Sequence, residues 1–344
     1  MKKGFICILI STALLLTYLS GCSQSQLSKD FTAFHQTYNI TTYGSSDDQS
    51  VQDVMNAYSA IETMLDTESP YSILYKVNHA NGNSTVINGT VSDLISASLD
   101  VSAMTNGYFD ITVYPLLELW GFTTQEYKIP EEHQIKEVLK SVNSSNIQLD
   151  KFSDTGSYLL QIPAESKITL NSAAEGCASA QAIDVLKSAG ITSAIISSSH
   201  FTRTIGTKPG EGVWTVGIRD PEDENNFLGY LTVEETAIST SSTKANSFIG
   251  GDENIYCDII NPKNGYPTTS NIESATVICS DDVVADCLST AILCLSSEEA
   301  ISLWRSSMSF ELILYTTDHK IICTSGLTEN FTANIDSIDV TFTE

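Results

Sequence analysis

Asp286 and Thr290 stand four residues apart in Ala285-Asp286-Cys287-Leu288-Ser289-Thr290, just ahead of the apolar run 291–295. On a helix that spacing places both side chains on one face. A carboxylate and a hydroxyl so placed suit a hard, oxygen-loving cation such as Mg²⁺, which completes its octahedron with water and substrate phosphates. Taken alone, the same pair also reads as a helix-start acid and a solvated threonine. Glu175 lies in Ser172-Ala173-Ala174-Glu175-Gly176, at the start of a helical stretch, where it either complements the helix dipole or faces a ligand. Asp110 lies in Asn106-Gly107-Tyr108-Phe109-Asp110-Ile111-Thr112-Val113, an otherwise apolar stretch in which a carboxylate needs donors. It either caps a turn or serves a ligand. The chain has no HExxH, GxSxG or GxGxxG, and its five histidines are scattered, so a zinc peptidase or serine hydrolase is not expected. The glycines of 206–212 lack the spacing of a phosphate loop.

Taken in order, these segments make the chain resemble the ApbE family, the membrane-anchored FAD:protein FMN transferases, over essentially all of residues 31–340. The family segment G-x-F/M-D-I-T-V-x-P-L-x-x-L-W-G-F is matched at 107–122, and A-D-A-L-S-T at 285–290 with Cys287 as the one change. Lysine or glutamate before glycine is matched by Glu175-Gly176, and a T-S pair after a strand by Thr240-Ser241. The D-P-x-T-G-x-P segment becomes Asn261-Pro262-Lys263-Asn264-Gly265-Tyr266-Pro267. The resemblance implies a protein that binds FAD and Mg²⁺, moves FMN onto a threonine hydroxyl of an acceptor flavoprotein, and releases AMP. It implies Asp286 and Thr290 as Mg²⁺ ligands with Ser172 as a third, and Tyr108, Phe109, Asp110, Glu175 and Ile259 as FAD contacts. Asp258 is implied as the base. Several family positions differ. Glu68 stands where an aromatic residue packs on the flavin, with Tyr71 nearby, and Ser199-His200 stands where Gly-Gly is usual. Asp258 replaces a histidine and Asn261 an aspartate, while Thr169 and Ala180 occupy positions where aspartate is usual. An unperturbed carboxylate, with a pKa near ~4, is a weaker base than imidazole at neutral pH. These departures leave a second expectation, a catalytically degenerate ApbE-like lipoprotein that binds flavin or acts as a scaffold, since a fold does not carry function by itself.

The elements that must position these residues read as a mixed α/β fold, a single large domain over 31–344. Val51, Val54, Met55, Tyr58, Ile61 and Leu65 recur at helical spacing and predict a helix over 50–66. A second helix is expected over 92–105 with Ser92 as its N-cap, a third from Pro130 to Val142, and a fourth over 174–189. Strands are expected at 193–197, 213–219, 228–233, 274–279, 310–315 and 320–323. No internal repeat is present.

The N-terminus has its own logic. Lys2 and Lys3 precede an apolar run, 5–19, that is shorter than the roughly 20 residues a membrane span takes. It ends in Leu19-Ser20-Gly21-Cys22, which resembles a lipobox. The expectation is a signal peptide over 1–21, a lipidated Cys22 with a polar tether over 22–30, and a domain held to the outer face of the cell membrane by its acyl chains. With a net charge of −25 the chain is no candidate for nucleic acid. Once Cys7 and Cys22 are set aside, six cysteines remain, several inside apolar runs, where a free thiol behaves as a small hydrophobe. Disulfides remain open to an exported chain.

Overall fold

The computed structural model describes residues 25–44, 48–152, 156–223, 225–334 and 339–343. The expected signal peptide and Cys22 lie outside the described residues. The helical spacing of Val51, Val54, Tyr58, Ile61 and Leu65 produces α1 (Asp48–Leu65), with all five side chains buried. After it come α2 (Ile73–Asn78), α3 (Gly89–Met104), α4 (Tyr114–Trp120), α5 (Glu132–Val138), α6 (Asn171–Ser188), α7 (Asp282–Ile292) and α8 (Ser297–Ser307). α3 begins earlier than expected. Asn88, and not Ser92, caps it by accepting the Val91 N–H at 3.0 Å, so the chain turns straight out of the strand Thr85–Asn88 into the helix. The expected third helix stops at Val138 and tightens into a 3₁₀ turn, Leu139–Ser141.

Among the described residues the largest sheet has nine strands in the spatial order Gln26–Ala33, Gln36–Tyr43, Ala194–Ser197, Phe201–Ile205, Ala237–Ser242, Ile272–Cys279, Phe310–Thr316, Lys320–Thr324 and Asp339–Thr343. All neighbours run antiparallel except the last pair. The first strand corrects the expected tether. Gln26–Asp30, read as solvated linker, are paired with Asn39–Tyr43 at the sheet edge, where an outward polar row is normal.

Alternate residues of each strand divide the sheet between two cores. On one face, Ala237, Ala275, Val277, Leu312 and Leu314 pack with α1, α3, α6 and α7 in the main core. On the other, Ile238, Ile278 and Ile313 pack under a three-stranded sheet made by Trp214–Arg219, Phe227–Val233 and Phe331–Ala333. A third, small core of Leu116, Trp120, Phe122, Ile135 and Ile260 joins α4 and α5 to the hairpin Ser247–Ile249/Ile255–Cys257. Cys177, Cys257, Cys279, Cys287, Cys294 and Cys323 are all buried and free, as apolar core residues.

Candidate functional site

The strand Ala237–Ser242 turns Ser239 and Ser241 toward α7 and turns Ile238 and Thr240 the other way. α7 is capped by Asp281, which accepts the Val284 N–H at 3.0 Å. Asp286 is therefore no helix cap. It sits in the second turn, buried, where α6 crosses α7 at Gly176. A Cβ on Gly176 would lie 2.4 Å from the Asp282 carbonyl oxygen, so glycine is what lets the helices meet. At that crossing the Gly176 N–H donates to Asp286 Oδ2 at 3.0 Å, and Ser239 Oγ to Oδ1 at 3.2 Å. Hydroxyls continue from there. Ser239 and Ser241 contact Ser289 at 3.1 and 2.8 Å, and Ser241 reaches Thr290 Oγ1 at 3.3 Å.

Glu175 flanks Asp286 through its neighbour Gly176. Rather than answering its own helix dipole, its carboxylate accepts from Gln36 Nε2 at 2.9 Å, Tyr38 Oη at 2.5 Å and Ser198 Oγ at 3.4 Å. Ser172 stands one turn earlier on α6, at a kink in its first turn (φ −79°, ψ 18°).

Among the described residues, three charged side chains are buried: Arg203, Asp282 and Asp286. Arg203 Nε lies 3.2 Å from Asp282 Oδ2, with Nη2 3.9 Å from Glu235. Asp286 and Glu175 form no ion pair among the described residues, so the one buried cation serves the wrong end of α7 to neutralise them. Burial first, then the Glu175 charge, holds the Asp286 carboxyl well above the usual carboxylate range. Two neighbouring carboxylates without a counter-cation among the described residues, with serine and threonine hydroxyls beside Asp286, form an oxygen-rich, electronegative donor set of the kind that suits a hard dication.

The segment 258–268 approaches from the C-terminal end of α7. Thr268 donates from its N–H to the Ile259 carbonyl at 2.8 Å and from Oγ1 to the Leu293 carbonyl at 2.5 Å, three residues past Thr290. Asp258 continues the ladder of the hairpin, its N–H on Asn246 O at 3.0 Å, and its carboxylate accepts from Asn246 Nδ2 at 2.8 Å. Its side chain is half-buried, and burial of the carboxyl, partly offset by the Asn246 hydrogen bond, pushes its pKa up to about 6.

The other expected ligand residues divide. Asp110 Oδ1 accepts from Thr112 N and Oγ1 at 2.8 and 2.5 Å, and Oδ2 from Ser144 N at 3.0 Å, which makes it the cap of the 3₁₀ turn Ile111–Val113. Phe109 is buried in the main core, while Tyr108 is half-buried with Lys263 Nζ 5.6 Å above its ring. Glu68 accepts from Tyr114 Oη at 2.7 Å, and Tyr71 is 86% exposed. Ser199 joins the Glu175 network through Gln36 at 3.0 Å. His200 instead lines a cavity with Thr202, Thr240 and Phe227, between the two sheets on the far face from Asp286.

Sequence reasoning missed Gln36, Tyr38, Ser239, Arg203 and Asp282. Only the last carried a local signal, its i, i+4 spacing from Asp286.

The sequence profile of the ApbE family matches residues 34–314. The chain belongs to the ApbE family. Its relatives include FAD:protein FMN transferases of Klebsiella pneumoniae (strain 342), 25% identical over 82% of this chain and 86% of that protein, and of Escherichia coli (strain K12), 28% identical over 70% and 71%. Among solved structures, the ApbE protein of Thermotoga maritima superposes with a TM-score of 0.78 at 24% identity, covering 86% of this chain and 96% of that one. The flavin transferase ApbE of Vibrio cholerae gives 0.79 at 20% identity, covering 89% and 99%. The mixed α/β architecture is thus the ApbE fold, and the nine-stranded sheet with its α6–α7 crossing is this member's version of it.

Proposed function

We propose that this ApbE member is a Mg²⁺-dependent FAD:protein FMN transferase, which moves FMN from FAD to a threonine hydroxyl of an acceptor flavoprotein and releases AMP. The observation that carries this reading is the buried Asp286, close to Glu175 and with no cation of its own among the described residues, set among oxygen donors. Asp286, with Thr290 and Ser172, would hold the Mg²⁺, which when bound would neutralise charge on the diphosphate oxygens. In the reaction a bond forms between the threonine oxygen and the FMN phosphorus, the bond to the AMP oxygen breaks, and the threonine proton passes to Asp258. Asn246 orients that carboxylate. Gln36 and Tyr38 fix the direction of Glu175 at the nucleotide.

The raised pKa of Asp258 offsets part of what the absent imidazole would supply, since a base near pKa 6 holds a proton better than one near ~4. A base must be ionised to act. The transfer rate is therefore expected to rise with pH through about 6, and Asp258→Asn to be slow and to lack that limb. Rates of in-gel flavin labelling across the pH range check this, and an unaltered limb in Asp258→Asn sinks the assignment.

Purified full-length protein, mixed with FAD, Mg²⁺ and an FMN-acceptor domain, tests the function itself. A fluorescent acceptor band with AMP release supports it. One observation favours a second reading, a degenerate flavin-binding scaffold: the side chain at 68 is a carboxylate bonded to Tyr114 and offers no ring to a flavin. FAD binding without AMP release would establish that reading.

We propose also that the protein is exported and anchored through lipid on Cys22, because charge, apolar length and the Leu19-Ser20-Gly21-Cys22 sequence agree. Cys22→Ser should leave the precursor uncleaved. Mass spectrometry of the N-terminus of the parent should find an acylated cysteine, and an unmodified one defeats the proposal.

A further inference from the structure

Asp282 and Asp286 are four residues apart on α7, and they meet neighbouring strands of the sheet, Asp282 at Arg203 and Asp286 at Ser239. In the sheet, Arg203 is opposite Ala237, and Phe201 is opposite Ser239, whose hydroxyl meets Asp286. Arg203 thus lies two strand residues from the row beneath Asp286. That step is roughly 6.8 Å, and four helical residues rise roughly 6 Å, so the two ladders keep pace. Arg203 sits under Asp282 as Ser239 sits under Asp286, and an arginine side chain is long enough to cross from one to the other.

The guanidinium is held mainly by charge. Nε and Nη1 are buried without a hydrogen-bond partner, Nε is 3.2 Å from Asp282 Oδ2, and Glu235 is 3.9 Å from Nη2. Asp282 itself is fixed from the opposite side by Ser179 Oγ, which donates to Oδ1 at 2.5 Å.

We propose that Asp282 is a guard: it holds Arg203 away from Asp286 and thereby keeps the Asp286 carboxylate free for a cation. The proposal rests on Asp286 being the Mg²⁺ ligand. In a poorly solvated interior a guanidinium deprived of one carboxylate goes to the next within reach, because an unpaired buried charge is strongly disfavoured. Without Asp282 two carboxylates remain, Glu235, which is 39% exposed and already paired with Lys187 at 2.7 Å, and the buried Asp286, which has no cation among the described residues; Asp286 then draws the arginine, which occupies the charge that Mg²⁺ needs. Asp282 is a positioning residue, acting through Arg203.

The test compares full-length parent, Asp282→Asn, Arg203→Met and the double variant by calorimetric titration with Mg²⁺ in the presence of FAD. Asp282→Asn should weaken Mg²⁺ binding by roughly 10- to 100-fold, while Arg203→Met stays within about threefold of the parent and the double variant regains the lost affinity. If the pair were only a structural tie, all three variants would be damaged alike, and that result overturns the guard. Should Asp282→Asn fail to fold, the double variant decides, because it contains no buried pair to break: parental affinity supports the proposal and lost affinity overturns it. A crystal structure of metal-free Asp282→Asn separates the proposal from the function it rests on. Arg203 hydrogen-bonded to Asp286 supports the guard even where the parent binds no Mg²⁺, an outcome that would defeat the metal assignment alone. Arg203 resting on Glu235, with Asp286 unpaired, overturns it.

Discussion

Asp286→Asn is expected to fold like the parent and to lose Mg²⁺-dependent release of AMP from FAD by orders of magnitude. The amide keeps the size of the carboxylate, its carbonyl oxygen still accepts the Gly176 N–H, and its NH₂ finds Ser239 Oγ in place of the donated bond. Only the charge that a hard dication requires is gone. Thr290→Val should do less, since a neutral hydroxyl contributes less to such a cation than a carboxylate. The substitution has a second signature, in stability. A carboxyl whose pKa is raised on folding binds its proton more tightly in the native state, so stability falls as pH climbs from the unfolded value through the folded one. At neutral pH the metal-free parent therefore bears a cost that the asparagine variant escapes, and the variant should melt higher. Added Mg²⁺ should raise the melting temperature of the parent and leave the variant where it is. Mg²⁺-dependent AMP release that continues unchanged in Asp286→Asn would show that the ligand is misassigned.

Trp120→Ala should lower the free energy of unfolding by about 3–5 kcal/mol, a large share of the ~5–15 kcal/mol that holds an ordinary domain together. Trp120 is fully buried at the centre of the small core, its Nε1 donates to the Gly265 carbonyl at 3.0 Å, and its ring meets Tyr256 and Tyr266 at centroid distances of 5.3 and 6.0 Å. It therefore fastens α4 to the turn that follows Asp258. Trp120→Phe, which keeps most of the volume and forgoes the hydrogen bond, should cost much less, the missing bond being worth about 1 kcal/mol. Urea denaturation ranks the two. A loss below about 1 kcal/mol in Trp120→Ala would mean that the small core collapses freely around the gap.

What could be read from the sequence followed from local periodicity. α1 was visible because its apolar residues keep helical spacing over four turns, and the strands near 274–279 and 310–315 because runs of β-branched and large apolar residues mark buried strands. The hairpin Gln26–Ala33/Gln36–Tyr43 escaped notice for a physical reason. Its turn is Phe34-His35, both at positive φ (48° and 59°), where asparagine or glycine is the usual signal, and its first strand buries only Phe31 and Ala33. At the candidate site, the shared face of Asp286 and Thr290 was legible from their spacing, and the turn cap made by Asp110 was one of the two readings its apolar setting allowed. The partners of Glu175 were not, because Gln36 and Tyr38 lie 139 and 137 residues away on that same unseen hairpin. Arg203 was hidden likewise, since its meaning depends on which strand passes beneath α7.

With the anchor proposed at Cys22, that hairpin would also govern how the protein meets its substrates. The hydrogen-bonded ladder begins at Gln26, so with lipid on Cys22 as proposed, three residues separate the membrane from the body of the sheet. Three residues span at most roughly 10 Å. On so short a leash a protein anchored in this way would work at a nearly fixed height, skating over the bilayer instead of reaching away from it. Its search for an acceptor would become one in a plane, and a threonine would be modified or ignored according to how far above the lipid its own protein carries it. Lengthening the leash would change which acceptors are met without altering any residue of the site.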